Sequence, residues 1–208
     1  MSSQTIFLVR HGRTAWNAQD RYLGSTDVAL DDTGVAQAQM LARWAAGQRL
    51  TRLVSSPAGR AVQTAEPIAA AAGLSVEKDE RLRELDFGSA EGLARDELQA
   101  TYPDEMTRFE QDPVAYPLPG GEDPAAAAAR AAEAVRDALD GAGERLLVVG
   151  HSTLFRLYLC RALGIPLADY RRRLRALDHD CYIEAIHSDH GLQVCRLNAP
   201  AVAEKEGA

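Results

Sequence analysis

The sequence has few cysteines, few aromatic residues and no long apolar run. Its 208 residues include three cysteines, and Phe, Trp and Tyr together make up 6% of them. Cys160, Cys181 and Cys195 are scattered and form no C-x-x-C pair, which argues against a disulfide framework and against a zinc site. No apolar run approaches the roughly 20 residues that a membrane-spanning helix needs. We therefore expect a cytoplasmic protein that does not span a membrane.

Basic charge is also scarce. The chain has 23 Lys and Arg against 30 Asp and Glu, so its net charge is -7. An acidic chain is a poor candidate for nonspecific binding to nucleic acid or to an anionic membrane, although a local basic pocket is compatible with this balance. The N-terminus lacks the basic and apolar regions of a signal peptide. A small molecule is thus the expected partner, and the oligomeric state stays open, with a homodimer as one option.

Short apolar runs alternate with stretches typical of helices, which predicts an α/β fold with a largely parallel sheet. Residues 1–200 are expected to form a single domain, with 88–120 as a cap-like insertion and 201–208 as a disordered tail. The predicted strands cover 5–9, 52–56, 74–82 and 145–150, the predicted helices cover 31–48, 57–73, 125–141 and 152–164, and 181–187 and 192–198 are predicted to pair as a β-hairpin.

Chemically active residues follow three of these predicted strands. The first strand ends in Arg10 and His11, the second leads through two serines to Arg60, and the fourth is followed by His151. Ligands of parallel sheets bind at the carboxyl ends of the strands, so these side chains are expected to converge. Two guanidinium groups with their rigid fork of N–H donors suit the oxygens of a phosphate, and Gly12 would let backbone N–H groups approach the same anion.

A histidine in such a cradle either donates a hydrogen bond or attacks phosphorus through its neutral nitrogen. With two histidines, one attacks while the other stabilises the charge that grows on the phosphoryl oxygens. Glu84 follows the third predicted strand and is a candidate general acid for the leaving group. Taken singly, each residue has a structural interpretation: His151 as a neighbour of a helix N-cap, Glu84 as a solvated carboxylate, and Arg60 as a surface residue. Their joint placement after strands favours a site.

Six blocks of sequence, in order along nearly the whole chain, resemble the histidine phosphatase superfamily, also called phosphoglycerate-mutase-like. The first, "LVRHGRTAWN", resembles the R-H-G-x-T-x-x-N signature of that family. The others are "GSTDVALDDTGVAQAQMLA", "LVSSPAGRAVQTAEPIA", "LRELDFGSAEG", "PGGED" and "VVGHSTLFRLYL". The resemblance implies a three-layer α/β/α sandwich with a mostly parallel central sheet and a small helical cap.

The resemblance also implies a role for each residue of the predicted site. His11 would be the nucleophile that becomes phosphorylated, and Glu84 would protonate the leaving group and then activate water. Because arginines supply the positive charge, no metal and no cofactor is expected, and phosphoryl transfer by positioning and electrostatics fits this division of labour. Nearby arginines should favour the neutral form of His11 that the attack requires. Arg10, Arg60 and His151 would bind the phosphoryl group, and Thr14 and Asn17 would line the same pocket.

Two positions depart from the family pattern. Ser152 stands where many members have Gly, and we expect it to cap the following helix, with a hydroxyl contact to substrate as the alternative. Ala90 stands where many members have Trp, which would enlarge the substrate site.

The mutase and phosphatase branches of the family share this machinery. Mutases carry extra basic residues that hold a second phosphate and a carboxylate. Arg95 falls about where a mutase has a lysine, but 108–113 replaces the later arginine pair and the longer mutase insertion is missing. We therefore predict a phosphatase that hydrolyses a small phosphomonoester. A 2,3-bisphosphoglycerate-dependent mutase and a non-catalytic phosphate-binding scaffold are the alternatives.

The substrate itself stays open between sugar phosphates, a nucleoside-type phosphate such as α-ribazole phosphate, and a secondary-metabolite phosphate. The segment 88–120 and the region after 168 should frame the leaving group. Adjacent residues of "DHD" (178–180) are expected to point to opposite sides of an extended segment, which disfavours a metal site and leaves His179 as a substrate contact. Four arginines are expected on a solvated helix face, from which one could reach an anionic substrate: Arg171, Arg172, Arg173 and Arg175.

Overall fold

A single sheet forms the centre of the molecule. The computed structural model describes residues 3–141 and 143–202, and in this part of the chain the sheet has six strands in the order β3-β2-β4-β1-β5-β6. The first four strands of that order are parallel, and the last two are antiparallel. The predicted α/β class is confirmed. The strands are β1 (Gln4–Arg10), β2 (Arg52–Ser55), β3 (Glu77–Lys78), β4 (Arg145–Gly150), β5 (Cys181–Ser188) and β6 (Gly191–Pro200).

Helices cover both faces of the sheet. The first face carries the second and third helices, and the other face carries the sixth and seventh. In the described residues the helices are α1 (Ala15–Ala18), α2 (Asp32–Ala46), α3 (Gly59–Ala72), α4 (Arg95–Thr101), α5 (Pro103–Gln111), α6 (Pro124–Leu139), α7 (Ser152–Leu163) and α8 (Tyr170–Arg173). None of them is both long enough and apolar enough to cross a bilayer.

The apolar run of β1 reflects burial on both of its faces. Phe7 and Val9 pack against α2 and α3, whereas Ile6 and Leu8 pack against the side of α6 and α7. All four are at most 1% exposed. The edges of β1 are covered as well, because it lies between β4 and β5. Burial of both faces explains why its hydrophobic pattern is continuous rather than alternating.

The third predicted strand is much shorter than 74–82. Only Glu77–Lys78 pairs with β2, and residues 80–82 form a 3-10 helix. The carboxylate of Asp79 accepts the Arg81 N–H at 2.8 Å and caps this turn, which ends the strand. The predicted hairpin is confirmed as β5 and β6, and the segment 88–120 contains α4 and α5. Most of the predicted tail 201–208 lies outside the described residues.

The parallel strands end together. Arg10 is in register with Gly150, and Ser55 with Val149. Beyond the strands, the His11 N–H donates to the Gly150 carbonyl at 3.0 Å and the Ser56 N–H donates to the Val149 carbonyl at 2.9 Å. The residues after β1, β2 and β4 therefore meet at the carboxyl edge of the sheet, as the strand order requires.

Candidate active site

A cavity of about 430 Å³ opens at this edge of the sheet. Its wall combines the last residue of β1, a residue of α1 with the segment that follows this helix, residues of α7, and α8 with the segment after it. Of the predicted site residues, the wall includes Arg10, Asn17, Glu84 and Ser152. His11, Arg60 and His151 lie behind it and are 3%, 0% and 0% exposed.

The imidazole of His11 is fixed in one tautomer by its own backbone neighbour. Nδ1 lies 2.7 Å from the Gly12 carbonyl oxygen, which accepts but cannot donate, so Nδ1 carries the proton. Nε2 then keeps its lone pair. Burial lowers the pKa of His11 well below its ordinary value, and the electrostatic influence of His151, Arg10 and Arg60 lowers it further. His11 is therefore a neutral imidazole with a free nucleophilic nitrogen.

His151 lies beside His11, with ring centroids 5.2 Å apart. Its Nδ1 is 3.4 Å from Nη2 of Arg60, which only donates, and its Nε2 is 2.8 Å from the Ser56 hydroxyl. The neutral ring therefore carries its proton on Nε2 and donates to Ser56. Burial, followed by Arg60 and Arg10, lowers the pKa of His151. Only after gaining a proton on Nδ1 can this ring donate to a phosphoryl oxygen, and a dianion nearby favours that gain.

A buried guanidinium, that of Arg60, and a half-buried residue, Arg10, flank the histidines, and neither forms an ion pair with a carboxylate of the described residues. Arg60 donates to the carbonyls of Gly24 and Thr26 at 2.6 and 2.8 Å, and Arg10 donates to the Leu177 carbonyl at 2.9 Å. The Nε–H groups of both arginines are buried and have no hydrogen-bond partner in the part of the chain that the structure describes. Burial lowers the pKa of Arg10 to about 10, so it stays charged at neutral pH. Uncompensated positive charge with unsatisfied donors suits an oxyanion.

Glu84 is a buried carboxylate at the N-terminus of α7 and not a solvated loop residue. Oε1 accepts the N–H groups of Leu85 and Leu154 at 2.9 and 2.8 Å, and Oε2 accepts the Thr153 N–H at 3.0 Å. The residue is 7% exposed and lies on the cavity wall. Because Oε2 accepts only one of these bonds, it keeps a lone pair for a proton.

Gly12 has a different role from the predicted one. Its N–H donates to the Thr64 hydroxyl at 2.9 Å and so is not available to an anion. A Cβ atom on Gly12 would lie 2.4 Å from the Gly34 carbonyl oxygen, where α2 begins. The turn after β1 packs so closely against α2 that only glycine fits, and this contact holds the carbonyl that fixes His11.

Thr14 and Asn17 form a unit at α1. The Thr14 hydroxyl accepts the Asn17 N–H at 3.3 Å, and Oδ1 of Asn17 accepts the Thr14 N–H at 3.1 Å, which is a capping box. Thr14 is fully buried, whereas Asn17 lies on the cavity wall. The structure thus places Asn17 at the predicted pocket and Thr14 behind it.

Ser152 does not cap α7. It is the first residue of the helix, whose N-cap is His151, and its hydroxyl accepts the Leu177 N–H at 3.0 Å. The capping prediction was wrong because Glu84 already satisfies the free N–H groups of this turn. Ser152 instead links α7 to the segment after α8 and contributes to the cavity wall.

His179 is the residue that sequence reasoning underrated. Its Nδ1 donates to the His11 carbonyl at 2.6 Å, and the two rings lie 5.5 Å apart. Burial, followed by Arg10, lowers its pKa to about 4. Asp178 and His179 both lie on the cavity wall, and a turn at 179–180 replaces the extended backbone that the prediction assumed.

The remaining predicted contacts divide between the cavity and the surface. Arg171 lies on the cavity wall, whereas Arg172 and Arg173 approach Asp169, and Arg175 pairs with Asp178. Ala90 is buried in the core and is not on the cavity wall. Among residues 3–141 and 143–202, no group of three or more His, Cys, Asp or Glu side chains is arranged to hold a metal ion.

Comparisons with known proteins match the chain to one family. The family model of the histidine phosphatase superfamily (branch 1) matches residues 6–200. A Yersinia pestis protein named probable phosphoglycerate mutase GpmB is 36% identical over 171 residues, which span 82% of this chain and 79% of that protein.

Two solved structures have the same fold. YhfR of Bacillus stearothermophilus has 28% identity and a TM-score of 0.87, covering 94% of this chain and 97% of its own. A mycobacterial glucosyl-3-phosphoglycerate phosphatase in complex with inorganic phosphate has 26% identity and a TM-score of 0.81, covering 95% and 98%. Since the family match extends over nearly the whole chain, this protein belongs to the histidine phosphatase superfamily.

Proposed function

We propose that the protein is a metal-independent phosphatase that hydrolyses a small phosphomonoester through a phosphohistidine at His11. The observation that carries this proposal is a neutral imidazole with a free Nε2 beside two arginines whose Nε–H groups are buried and have no partner among the described residues. A nucleophile needs the lone pair, and the transferred group needs the donors.

The reaction has two balanced steps. In the first, Nε2 of His11 attacks phosphorus, the bond from phosphorus to the ester oxygen breaks, and Glu84 gives its proton to the departing alkoxide. In the second, Glu84 takes a proton from water, the hydroxide attacks phosphorus, and the bond to Nε2 breaks to release inorganic phosphate. His11 returns to its neutral form with the proton still on Nδ1, held by the Gly12 carbonyl.

The mutase alternative is supported by the relative named probable phosphoglycerate mutase. Against it, Arg95, which stands where mutases have a lysine, pairs with Glu110 and has a side chain that is 66% exposed. It is not on the cavity wall. A coupled assay primed with 2,3-bisphosphoglycerate separates the two activities, and efficient conversion of 3- to 2-phosphoglycerate would favour the mutase.

Replacement of the nucleophile is the direct test. We expect His11→Ala to lower hydrolysis of 4-nitrophenyl phosphate in EDTA by about a thousandfold or more, because nucleophilic catalysis is lost while the arginine cradle remains. Alkaline quenching followed by mass spectrometry should find a phosphorylated peptide containing residue 11 in the wild type only, since phosphohistidine is labile in acid.

His190→Ala, in the exposed turn of the β5–β6 hairpin, is the matched control and should keep full activity. Stabilisation of His11→Ala by inorganic phosphate in a thermal shift assay verifies that the variant is folded. Activity that persists in His11→Ala would contradict the mechanism, as would a requirement for added metal. A folded wild type that binds phosphate but hydrolyses no ester would support the scaffold alternative.

A further inference from the structure

Two arginines of the cavity wall lie outside the phosphoryl cradle and have no carboxylate partner in the described residues. Arg156 belongs to α7 and Arg171 to α8. Neither lies within 4 Å of a carboxylate oxygen in residues 3–141 and 143–202. Arg21, on the same wall, pairs with Glu97, and Arg173 pairs with Asp169. Surface arginines of this chain commonly form ion pairs, so two unpaired ones on one cavity need an explanation.

The guanidinium of Arg156 is held in place by weak contacts. Its side chain leans back toward the N-terminus of α7, where Nε lies 3.3 Å from the Ser152 carbonyl and Nη2 lies 3.4 Å from the Thr153 hydroxyl. These distances are long for hydrogen bonds from a charged donor. Its Cζ lies 5.0 Å from the centre of the Tyr170 ring. Burial lowers the pKa of Arg156, and the electrostatic influence of Tyr170 and Glu84 offsets only part of this effect.

Arg171 is positioned in the same manner. Its Cζ lies 5.1 Å from the centre of the Phe109 ring, and it donates no hydrogen bond within the described residues. Stacking on an aromatic face orients the plane of a guanidinium and leaves the N–H donors along its edge available. Two oriented guanidiniums with free edges suit a carboxylate or another planar or tetrahedral anion.

Three acidic residues lie on the cavity wall, Asp20, Glu84 and Asp178, and none of them has a carboxylate oxygen within 4 Å of Arg156 or Arg171. Asp178 is engaged by Arg175 and by the amide of Asn198, and the Glu84 carboxylate is occupied by backbone N–H groups of α7. Arg156 also lies away from the phosphoryl cradle. It follows His151 by five residues, which corresponds to about 7.5 Å along the axis of a helix. Arg156 is thus separated from the residues that would hold the transferred phosphoryl group.

We propose that the leaving group of the substrate carries a second anionic group, in the simplest case a carboxylate, that binds Arg156 and Arg171. The inference rests on the proposed phosphatase activity and names the class of its substrate. In this chain the two guanidinium groups that would hold the second anion belong to α7 and α8. Tyr22 and Phe87 line the same cavity, so a ring between the two anions fits its wall.

A matched pair of esters tests the inference. We would measure kcat/KM for 4-carboxyphenyl phosphate and for 4-carbamoylphenyl phosphate, which replaces the carboxylate by a neutral group of similar shape. The ratio of interest is kcat/KM for the carboxylate ester divided by kcat/KM for the carbamoyl ester. In Arg156→Gln this ratio should fall about tenfold or more, which is the loss expected for a charged hydrogen bond. In Arg171→Gln it should fall less, because Arg171 is exposed. Differences in phenol acidity cancel when ratios are compared between variants.

Arg173→Gln is the matched control, because Arg173 shares α8 but pairs with Asp169 and is not on the cavity wall. Its ratio should equal that of the wild type. Arg156→Lys, which keeps the charge without the fork, should recover part of the loss and guards against misfolding of the glutamine variant. A ratio unchanged in both glutamine variants would overturn the inference and leave the phosphatase intact. A wild type that hydrolyses neither ester would overturn the proposed function itself.

Discussion

At the scale of single residues, two carbonyl oxygens determine what the histidines can do. The Gly12 carbonyl holds the proton on Nδ1 of His11 and leaves Nε2 free, and the His11 carbonyl does the same for His179. A histidine is a nucleophile only when its reactive nitrogen is unprotonated, so the tautomer matters as much as the position. Backbone geometry after β1 therefore determines the chemistry of the site.

The role of Glu84 can be tested through the leaving group. We expect Glu84→Gln to lower kcat/KM strongly for phenyl phosphate and about tenfold less for 4-nitrophenyl phosphate, because a good leaving group needs little protonation. The amide also points an NH₂ at a backbone N–H of α7, which should destabilise the protein by about 1–3 kcal/mol. Steady-state kinetics over a series of phenols would measure this. An equal loss for every leaving group would show that Glu84 has only a structural role.

Residue types at the site could be predicted from the sequence, but their hydrogen-bond partners could not. The placement of Arg10, His11, Arg60, Glu84 and His151 followed from strand ends and a family resemblance, and the structure brings these five together. Partners far apart in sequence are set by packing, which no local pattern encodes. His179, bonded to a residue 168 positions away, is such a case, and so is Ser152 with Leu177.

At the scale of elements, α3 supports the turn that carries His11. The Thr64 hydroxyl accepts the Gly12 N–H at 2.9 Å and donates to the Arg60 carbonyl at 2.8 Å, one turn earlier in the helix. One side chain thus connects the end of β1 to the helix that supplies the buried arginine. The N-terminus of α7 is connected to the Glu84 segment in a similar way, through its backbone N–H groups.

Removal of the Thr64 hydroxyl should weaken both the fold and the activity. We expect Thr64→Val to lower the free energy of unfolding by about 1–3 kcal/mol, since the buried Gly12 N–H loses its acceptor while the shape is kept. The turn that fixes His11 loosens, so kcat should fall as well. Thr64→Ser keeps the hydroxyl and is the control. Urea denaturation and kinetics measure both effects, and a valine variant equal to the wild type in both would refute this connection.

Long elements with strong periodicity were predicted well, and short ones poorly. The helices predicted at 125–141 and 152–164 are observed as Pro124–Leu139 and Ser152–Leu163. The third strand was predicted over nine residues and is observed only as Glu77–Lys78. It lies at the sheet edge, and a side-chain cap at Asp79 competes with strand pairing. The local apolar pattern predicts the bounds of central strands, whereas the bounds of edge strands depend on such competing contacts.

At the scale of the whole molecule, the site makes stability depend on pH. Burial lowers the pKa of His11, His151 and His179 below the ordinary value of about 6.5. Below pH 6.5 the unfolded chain therefore binds more protons than the folded one, and the free energy of unfolding falls as the pH falls. The contribution of these groups to the free energy of unfolding is fully present above pH 6.5. It is lost as the pH falls toward their pKa in the folded state, which is about 4 for His179.

This loss should be visible between pH 6.5 and 5, before paired carboxylates such as Asp31 and Asp79 are protonated. Each histidine contributes a slope of up to about 1.4 kcal/mol per pH unit, so the three together give up to about 4. Urea denaturation in phosphate-free buffers, repeated at each pH, measures this slope of the free energy of unfolding. His179→Gln should reduce the slope by about a third, and His190→Gln in the exposed hairpin turn is the control. A stability that stays constant from pH 7.5 to 5 would mean that the three imidazoles take up protons without unfolding, and a neutral His11 would then need another explanation.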